Sequence, residues 1–114
     1  MSVRILHNPR CSKSRQTLQL LQEKGVNPEI TEYLAVPLAK DELKDVLRKL
    51  GKQPHEILRK NEAIFKEKFK GKELSEDEWI EAMITYPKLM ERPIVINGEK
   101  AALGRPPEDV LEIL

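Results

Sequence analysis

Apolar and polar positions alternate along this chain in short blocks with clear stops. Val3, Ile5 and Leu6 make an apolar run interrupted by Arg4, and Asn8-Pro9 ends it, which predicts a strand over 3–6. A helix is expected from about Ser12 to Lys24, with Leu18 and Leu21 three apart and Leu20 beside them. Gly25 should close that helix in the left-handed conformation that only glycine adopts freely. Glu29 to Tyr33 predicts a second strand, with Ile30 and Tyr33 as its apolar members. Strand, helix and strand in about 30 residues make a βαβ unit, so the two strands should run parallel with a right-handed crossover.

The middle of the chain is helical and charged. Asp41 to Leu50 places Leu43, Val46, Leu47 and Leu50 on one face and ends at Gly51. A short helical turn is expected over Pro54 to Leu58, and the mixed charges of 66–78 predict a solvated connection and helix start. Ser75-Glu76-Asp77-Glu78 fits a capping box, opening a helix that carries Trp79, Ile80, Met83 and Ile84 and stops before Pro87. Toward the C-terminus, Ile94-Val95-Ile96 and Lys100-Ala101-Ala102-Leu103 flank Asn97-Gly98, a strong hairpin signal. Pro106-Pro107 then begins a last short helix, with Val110, Leu111 and Leu114 expected to face inward. The order β-α-β, helices, β-β-α predicts a two-layer α/β protein in which an antiparallel hairpin is appended to a parallel pair. Neither repeats nor low-complexity tracts break the chain, so residues 1–114 read as a single domain with a helical insertion at about 37–90.

Composition narrows the function classes. The 114 residues carry 20 Lys and Arg against 19 Asp and Glu, so there is no positive excess of the kind a general nucleic-acid binder needs. Two Phe, two Tyr and one Trp are too few for a base-stacking platform. The longest apolar runs fall far short of a membrane span, and 3–6 is too short for the apolar core of a signal peptide. One cysteine allows no internal disulfide, which points to the reducing cytoplasm. One Cys and two separated His, His7 and His55, offer no recognisable metal-ligand spacing.

Charge is nevertheless uneven. No Asp or Glu precedes Glu23, whereas Arg4, Arg10, Lys13 and Arg15 all fall before it. The lone cysteine, Cys11, lies in this acid-free stretch, at the corner between the first strand and the first helix. Unpaired N–H groups at a helix start stabilise a thiolate and can hold an incoming oxyanion. The Cys11 pKa is therefore expected in the range of about 3.5–7.5 found for activated thiols. Arginine usage points the same way. The chain has 7 Arg against 13 Lys, and Arg15 returns to the Cys11 side of the helix one turn later. Arg92 and Arg105 each precede a proline, which holds the backbone extended, and Arg59 follows the apolar turn Ile57-Leu58. A planar, permanently charged fork suits oxyanions. His7 is a candidate base or a residue that orients the Cys11 loop.

These residues carry a resemblance. His7-Asn8-Pro9-x-Cys11-x-x-Ser14-Arg15 resembles the active-site loop of the glutaredoxin-linked arsenate reductases. Leu58-Arg59-Lys60-Asn61-Glu62, Glu91-Arg92-Pro93-Ile94-Val95 and Gly104-Arg105-Pro106 resemble the segments that carry that family's three anion-binding arginines. The resemblance implies a thioredoxin-like fold with a mixed sheet, an inserted helical region, and a cis proline at Pro93. It also implies a mechanism. Cys11 would attack arsenate, with His7 and Arg15 holding it as thiolate, while Arg59, Arg92, Arg105 and Ser14 bind the oxyanion. Glutathione would be the co-substrate and glutaredoxin the partner, with no bound cofactor or metal. Since the chain has a single cysteine, the next thiol must come from outside in any such scheme. The loop departs from the best-known members, which have small residues where this one reads Arg10-Cys11-Ser12-Lys13. Together with the end at Leu114, this looks like a shorter branch of the family. Two other functions share these features: a glutathione-dependent thiol oxidoreductase with another substrate, and a regulatory binding protein resembling the Spx transcription factors.

Overall fold

A computed structural model of the protein describes residues 3–114. The chain forms two compact units, one made of the stretch to Val36 together with Arg92–Leu114, the other of Pro37–Glu91.

The first unit is built on a four-stranded sheet. Strands β1 (Val3–Leu6), β2 (Glu29–Thr31), β3 (Ile94–Asn97) and β4 (Lys100–Leu103) lie in the order β2-β1-β3-β4. β1 pairs with β2 in parallel, Ile5 opposite Ile30, and with β3 antiparallel, Ile5 opposite Val95. The topology is thioredoxin-like with a mixed sheet, as the motifs implied. Helix α1 (Ser12–Glu23) and a final 3-10 segment, Pro107–Ile113, pack on one face. Ile5, Leu21, Val95 and Val110 are fully buried there, and Val3, Leu18, Leu20, Val26, Ala102 and Ile113 surround them. Burying four such side chains supplies the main drive for this layer, about 1.5–3 kcal/mol each.

Four local expectations change. β2 stops at Thr31, so Tyr33 lies beyond it in a turn, where it is buried. Ile30, on a three-residue edge strand, is 47% exposed. The hairpin register is one residue off, since Asn97 pairs with Lys100 and the loop is Gly98-Glu99. Gly98 takes φ +62 and no non-glycine residue among the described residues has positive φ, which is the glycine-first form of a two-residue turn. Asn97 stays in β3, where its Nδ2 donates to the Ile113 carbonyl at 2.6 Å. Finally, the C-terminal segment winds with three residues per turn, so Val110 is followed inward by Ile113 and Leu114 points out.

The second unit is helical: α2 (Lys40–Leu50), a 3-10 turn at Pro54–Ile57, α3 (Ala63–Lys68), α4 (Glu76–Thr85) and a 3-10 turn at Pro87–Leu89. Leu43, Val46 and Leu47 of α2 are buried, and Gly51 ends that helix at φ +68. The capping box holds: Ser75 Oγ accepts from the Glu78 N–H at 3.2 Å, and Glu78 Oε1 accepts from the Ser75 N–H at 2.9 Å. Trp79, Ile80 and Met83 are buried as expected, whereas Ile84 is only partly so. α3 forms where a solvated connection was predicted at its charged end. Its signal was aromatic, because Phe65 stacks on Trp79 with centroids 6.1 Å apart and Phe69 packs against the same ring at a tilt, 5.7 Å away.

Candidate active site

β1 ends at Leu6, and the chain must turn sharply to begin α1. His7 continues the sheet by donating its N–H to the Thr31 carbonyl at 2.9 Å. Asn8, buried at 7% exposure, then organises the corner with three groups. Its carbonyl accepts the Cys11 N–H at 3.0 Å, its Oδ1 accepts the Arg10 N–H at 3.0 Å, and its own N–H donates to Ser14 Oγ at 3.0 Å. Arg15 closes the loop from the helix side, its Nη1 donating to the Pro9 carbonyl at 2.9 Å. The result places Cys11 at the N-cap of α1 in an extended conformation (φ −94, ψ 124).

Cys11 is partly buried, and burial alone pushes its thiol pKa up. Three groups reverse that: the Ser14 N–H, the Arg92 side chain and the Lys13 N–H all favour the anion, and the net result lies below the ordinary thiol value. The sulfur forms no side-chain cap of the usual oxygen type, yet it faces the amides such a cap would satisfy. Arg105 reaches the same place from the far end of β4, with Nη2 3.7 Å from Sγ. Its Nε donates to the Arg92 carbonyl at 2.8 Å, which ties the two arginine segments together. The Arg92–Pro93 peptide is cis, as the resemblance implied, and so is Arg105–Pro106. An anion at Sγ would meet both helix N–H groups and two guanidinium groups.

His7 and Ser14 form a buried pair behind this corner, Nδ1 and Oγ 2.6 Å apart. Burial lowers the His7 pKa, the Arg15 charge lowers it further, and Glu32 opposes both. A neutral ring can accept the Ser14 hydroxyl hydrogen while Asn8 donates to the oxygen. His7, Ser14 and Arg15 thus all direct hydrogen bonds into the loop that carries Cys11. Arg59 belongs to the helical unit. Its N–H donates to the Leu89 carbonyl at 2.7 Å, and its guanidinium lies 3.7 Å from Glu62 and 3.6 Å from Glu91.

Two positions were missed from the sequence. Asn8 stood in the motif without a role, although an Asn beside a turn proline is a known backbone organiser. Gly104 was quoted only as the neighbour of Arg105. A Cβ there would sit 2.5 Å from Thr17 Oγ1 and 2.7 Å from Pro93 Cγ, so α1 and the Pro93 loop approach as closely as they do only over a glycine. Its N–H donates to the Pro93 carbonyl at 3.0 Å. No sequence pattern announces such a contact, because it joins three segments distant in the chain.

Among the described residues no group of three or more His, Cys, Asp or Glu side chains is arranged to hold a metal ion, and no helix is long and apolar enough to cross a membrane. Comparison with known proteins agrees with the geometry. The chain is 52% identical to the YfgD protein of Escherichia coli K12, over 98% of this chain and 96% of that one. It is 47% identical to a protein of Haemophilus influenzae named arsenate reductase, with both chains covered completely. A solved structure, the arsenate reductase from Vibrio cholerae, superposes with a TM-score of 0.95 at 46% identity, over 100% of this chain and 98% of that one. The family model for ArsC matches residues 6–113, and with a thiol at a helix start facing two guanidinium groups, this chain belongs to the ArsC family.

Proposed function

We propose that this protein reduces arsenate to arsenite through Cys11, with glutathione and glutaredoxin supplying the electrons. One observation carries the reading: a thiol with a depressed pKa faces Arg92 and Arg105 at the amino end of α1. The relatives named arsenate reductase supply the substrate. The Cys11 thiolate attacks arsenic(V), and one arsenate oxygen leaves as water after protonation. Arg92 and Arg105, with the N–H groups of Lys13 and Ser14, stabilise the charge on the oxygens. Arg59 is the third arginine we assign to the oxyanion. His7, Ser14 and Arg15 act by holding the loop that presents the sulfur.

The thiolate of glutathione then attacks Sγ. A sulfur–sulfur bond forms, the sulfur–arsenic bond breaks, and its electron pair remains on arsenic, which leaves as arsenite. Glutaredoxin attacks the glutathione sulfur of the mixed disulfide, and Cys11 returns as thiolate. The two electrons come from thiols, so the cycle calls for neither a bound metal nor an organic cofactor. It belongs in the reducing cytoplasm, in a single functional domain spanning 1–114.

The test is arsenate-dependent NADPH oxidation coupled through glutathione, glutaredoxin and glutathione reductase. Turnover that disappears in Cys11→Ser supports the assignment. A wild-type rate no higher than the mutant's, from a folded protein, rejects arsenate as the substrate.

A further inference from the structure

The thiol corner carries two cations that neither the sulfur nor the protein uses. Arg10 and Lys13 flank Cys11 on the chain and both are exposed. Their backbones are fixed, the Arg10 N–H on Asn8 Oδ1 at 3.0 Å and the Lys13 carbonyl accepting from Thr17 Oγ1 at 2.8 Å. Their side chains, in contrast, make no hydrogen bond or ion pair among the described residues. The first turn of α1 contains no acid that could neutralise them. Nor are their charged heads among the groups that pull the thiol down, which are the Ser14 N–H, the Arg92 side chain and the Lys13 N–H. Arg15 is different, since its guanidinium is committed to the Pro9 carbonyl.

We infer that Arg10 and Lys13 are specificity determinants for the second substrate, and that they select a small thiol bearing carboxylates. The inference rests on the thiol-resolving step proposed above and goes beyond it by assigning a recognition site. Once Cys11 carries an oxyanion, the adduct is negative, and Arg92 and Arg105 are occupied with it. A carboxylate-bearing thiol approaching that adduct is repelled unless further positive charge lies on its path. Displacement at sulfur runs in line, so the attacking thiol comes from the side away from the arginines that hold arsenic. Exposed cations on long side chains, one and two residues from Cys11 along the chain, suit a peptide thiol whose carboxylates lie several bonds from its sulfur. Glutathione, with two carboxylates against one ammonium, has that form.

The experiment reads thiol–disulfide exchange at Cys11 and needs no arsenate. The Cys11 thiolate attacks one sulfur of a symmetric disulfide, forming a mixed disulfide and releasing the other half as thiolate, and mass spectrometry follows the adduct. Rates are measured with glutathione disulfide and with the neutral hydroxyethyl disulfide, and their ratio cancels any change in the thiolate itself. In the Arg10→Ala/Lys13→Ala variant the ratio should fall about tenfold, the scale of two exposed charge pairs, while Arg10→Lys should keep it. Raising the salt concentration should lower the wild-type ratio toward that of the double variant. An unchanged ratio in the double variant overturns the inference and leaves these cations with at most a role toward the oxyanion. A failure of arsenate turnover would sink the proposed function without touching this ratio, so the two can fail separately.

Discussion

Two sets of cations, one in the helical unit and one around Cys11 in the sheet unit, are held in opposite ways. In the helical unit Lys40, Lys44, Arg48, Lys49 and Arg59 meet carboxylates. Lys40 lies 3.6 Å from Asp77 and 3.4 Å from Glu81, Lys44 lies 3.5 Å from Asp77, and Arg48 and Lys49 meet Asp45 at 2.8 and 3.0 Å. Even the half-buried Arg59 rests between Glu62 and Glu91. In the sheet unit Arg15 donates to the Pro9 carbonyl, and Arg105 donates to the Arg92 carbonyl and to the Cys11 sulfur. Neutralised pairs on a helix surface contribute little stability and leave no field for a ligand. Positive charge held against a carbonyl keeps its field, and in this unit Arg92 and Arg105 direct theirs at one thiol. The balanced net charge of the whole chain conceals that difference.

The largest expected effect follows from removing the sulfur. Cys11→Ser should abolish arsenate turnover in the coupled assay while the thermal transition stays in place. Next come the arginines of the sheet unit. Arg92→Ala or Arg105→Ala should lower kcat/KM by about 10²–10³, the loss typical of removing an anion-stabilising donor. Arg48→Ala, taken from a surface pair of the helical unit, should leave kcat/KM unchanged, and an equal loss there would erase the contrast between the units.

The pH dependence has a definite sign. Alkylation of Cys11 follows the thiolate, whose formation is favoured in the fold by the Ser14 N–H, Arg92 and the Lys13 N–H, against burial. The rate of alkylation by iodoacetamide should therefore rise with pH and reach its midpoint below that of an ordinary thiol. Arg92→Ala should move the midpoint up, because both its hydrogen bond and its charge act downward. A midpoint unaffected by Arg92→Ala would show that the helix amides alone hold the anion.

Smaller effects concern packing. Gly104→Ala should destabilise the sheet unit by about 1–3 kcal/mol, since a methyl group must displace Thr17 or Pro93, and it should raise the alkylation midpoint as Arg92, which precedes Pro93, shifts. Ser75→Ala should cost about 1 kcal/mol through loss of the α4 cap and leave the midpoint where it was. Thermal melting with alkylation kinetics on the same samples separates these two.

Much of the fold was legible because its signals are local. The stops at Gly25 and Gly51, the box at Ser75 and the run over 94–96 each depend on a few neighbouring residues, and each element formed close to its expected bounds. Where the reading slipped, a long-range partner decided. Asn97 left the turn because the Ile113 carbonyl holds its side chain, and α3 formed because its aromatic residues meet Trp79. Leu114 turned outward because the last segment chose a three-residue period. The site followed the same division. Cys11 at the start of a helix, in an acid-free stretch, needed only the residues around it to be noticed. Asn8 and Gly104 did not stand out, since their partners are Ser14, Thr17 and Pro93.

Residue chemistry and spacing by themselves determined the element order, the position of the thiol at a helix start, and the supply of arginines around it. Those depend on dihedral preferences and hydrophobic period, which act over a few residues at a time. Tertiary contacts alone brought Arg92 and Arg105 to the sulfur, joined them through the Arg92 carbonyl, and let α1 close on Pro93 over Gly104. An anion site is a sum of fields and donors at one point in space, and that point exists only after strands far apart in the chain have paired.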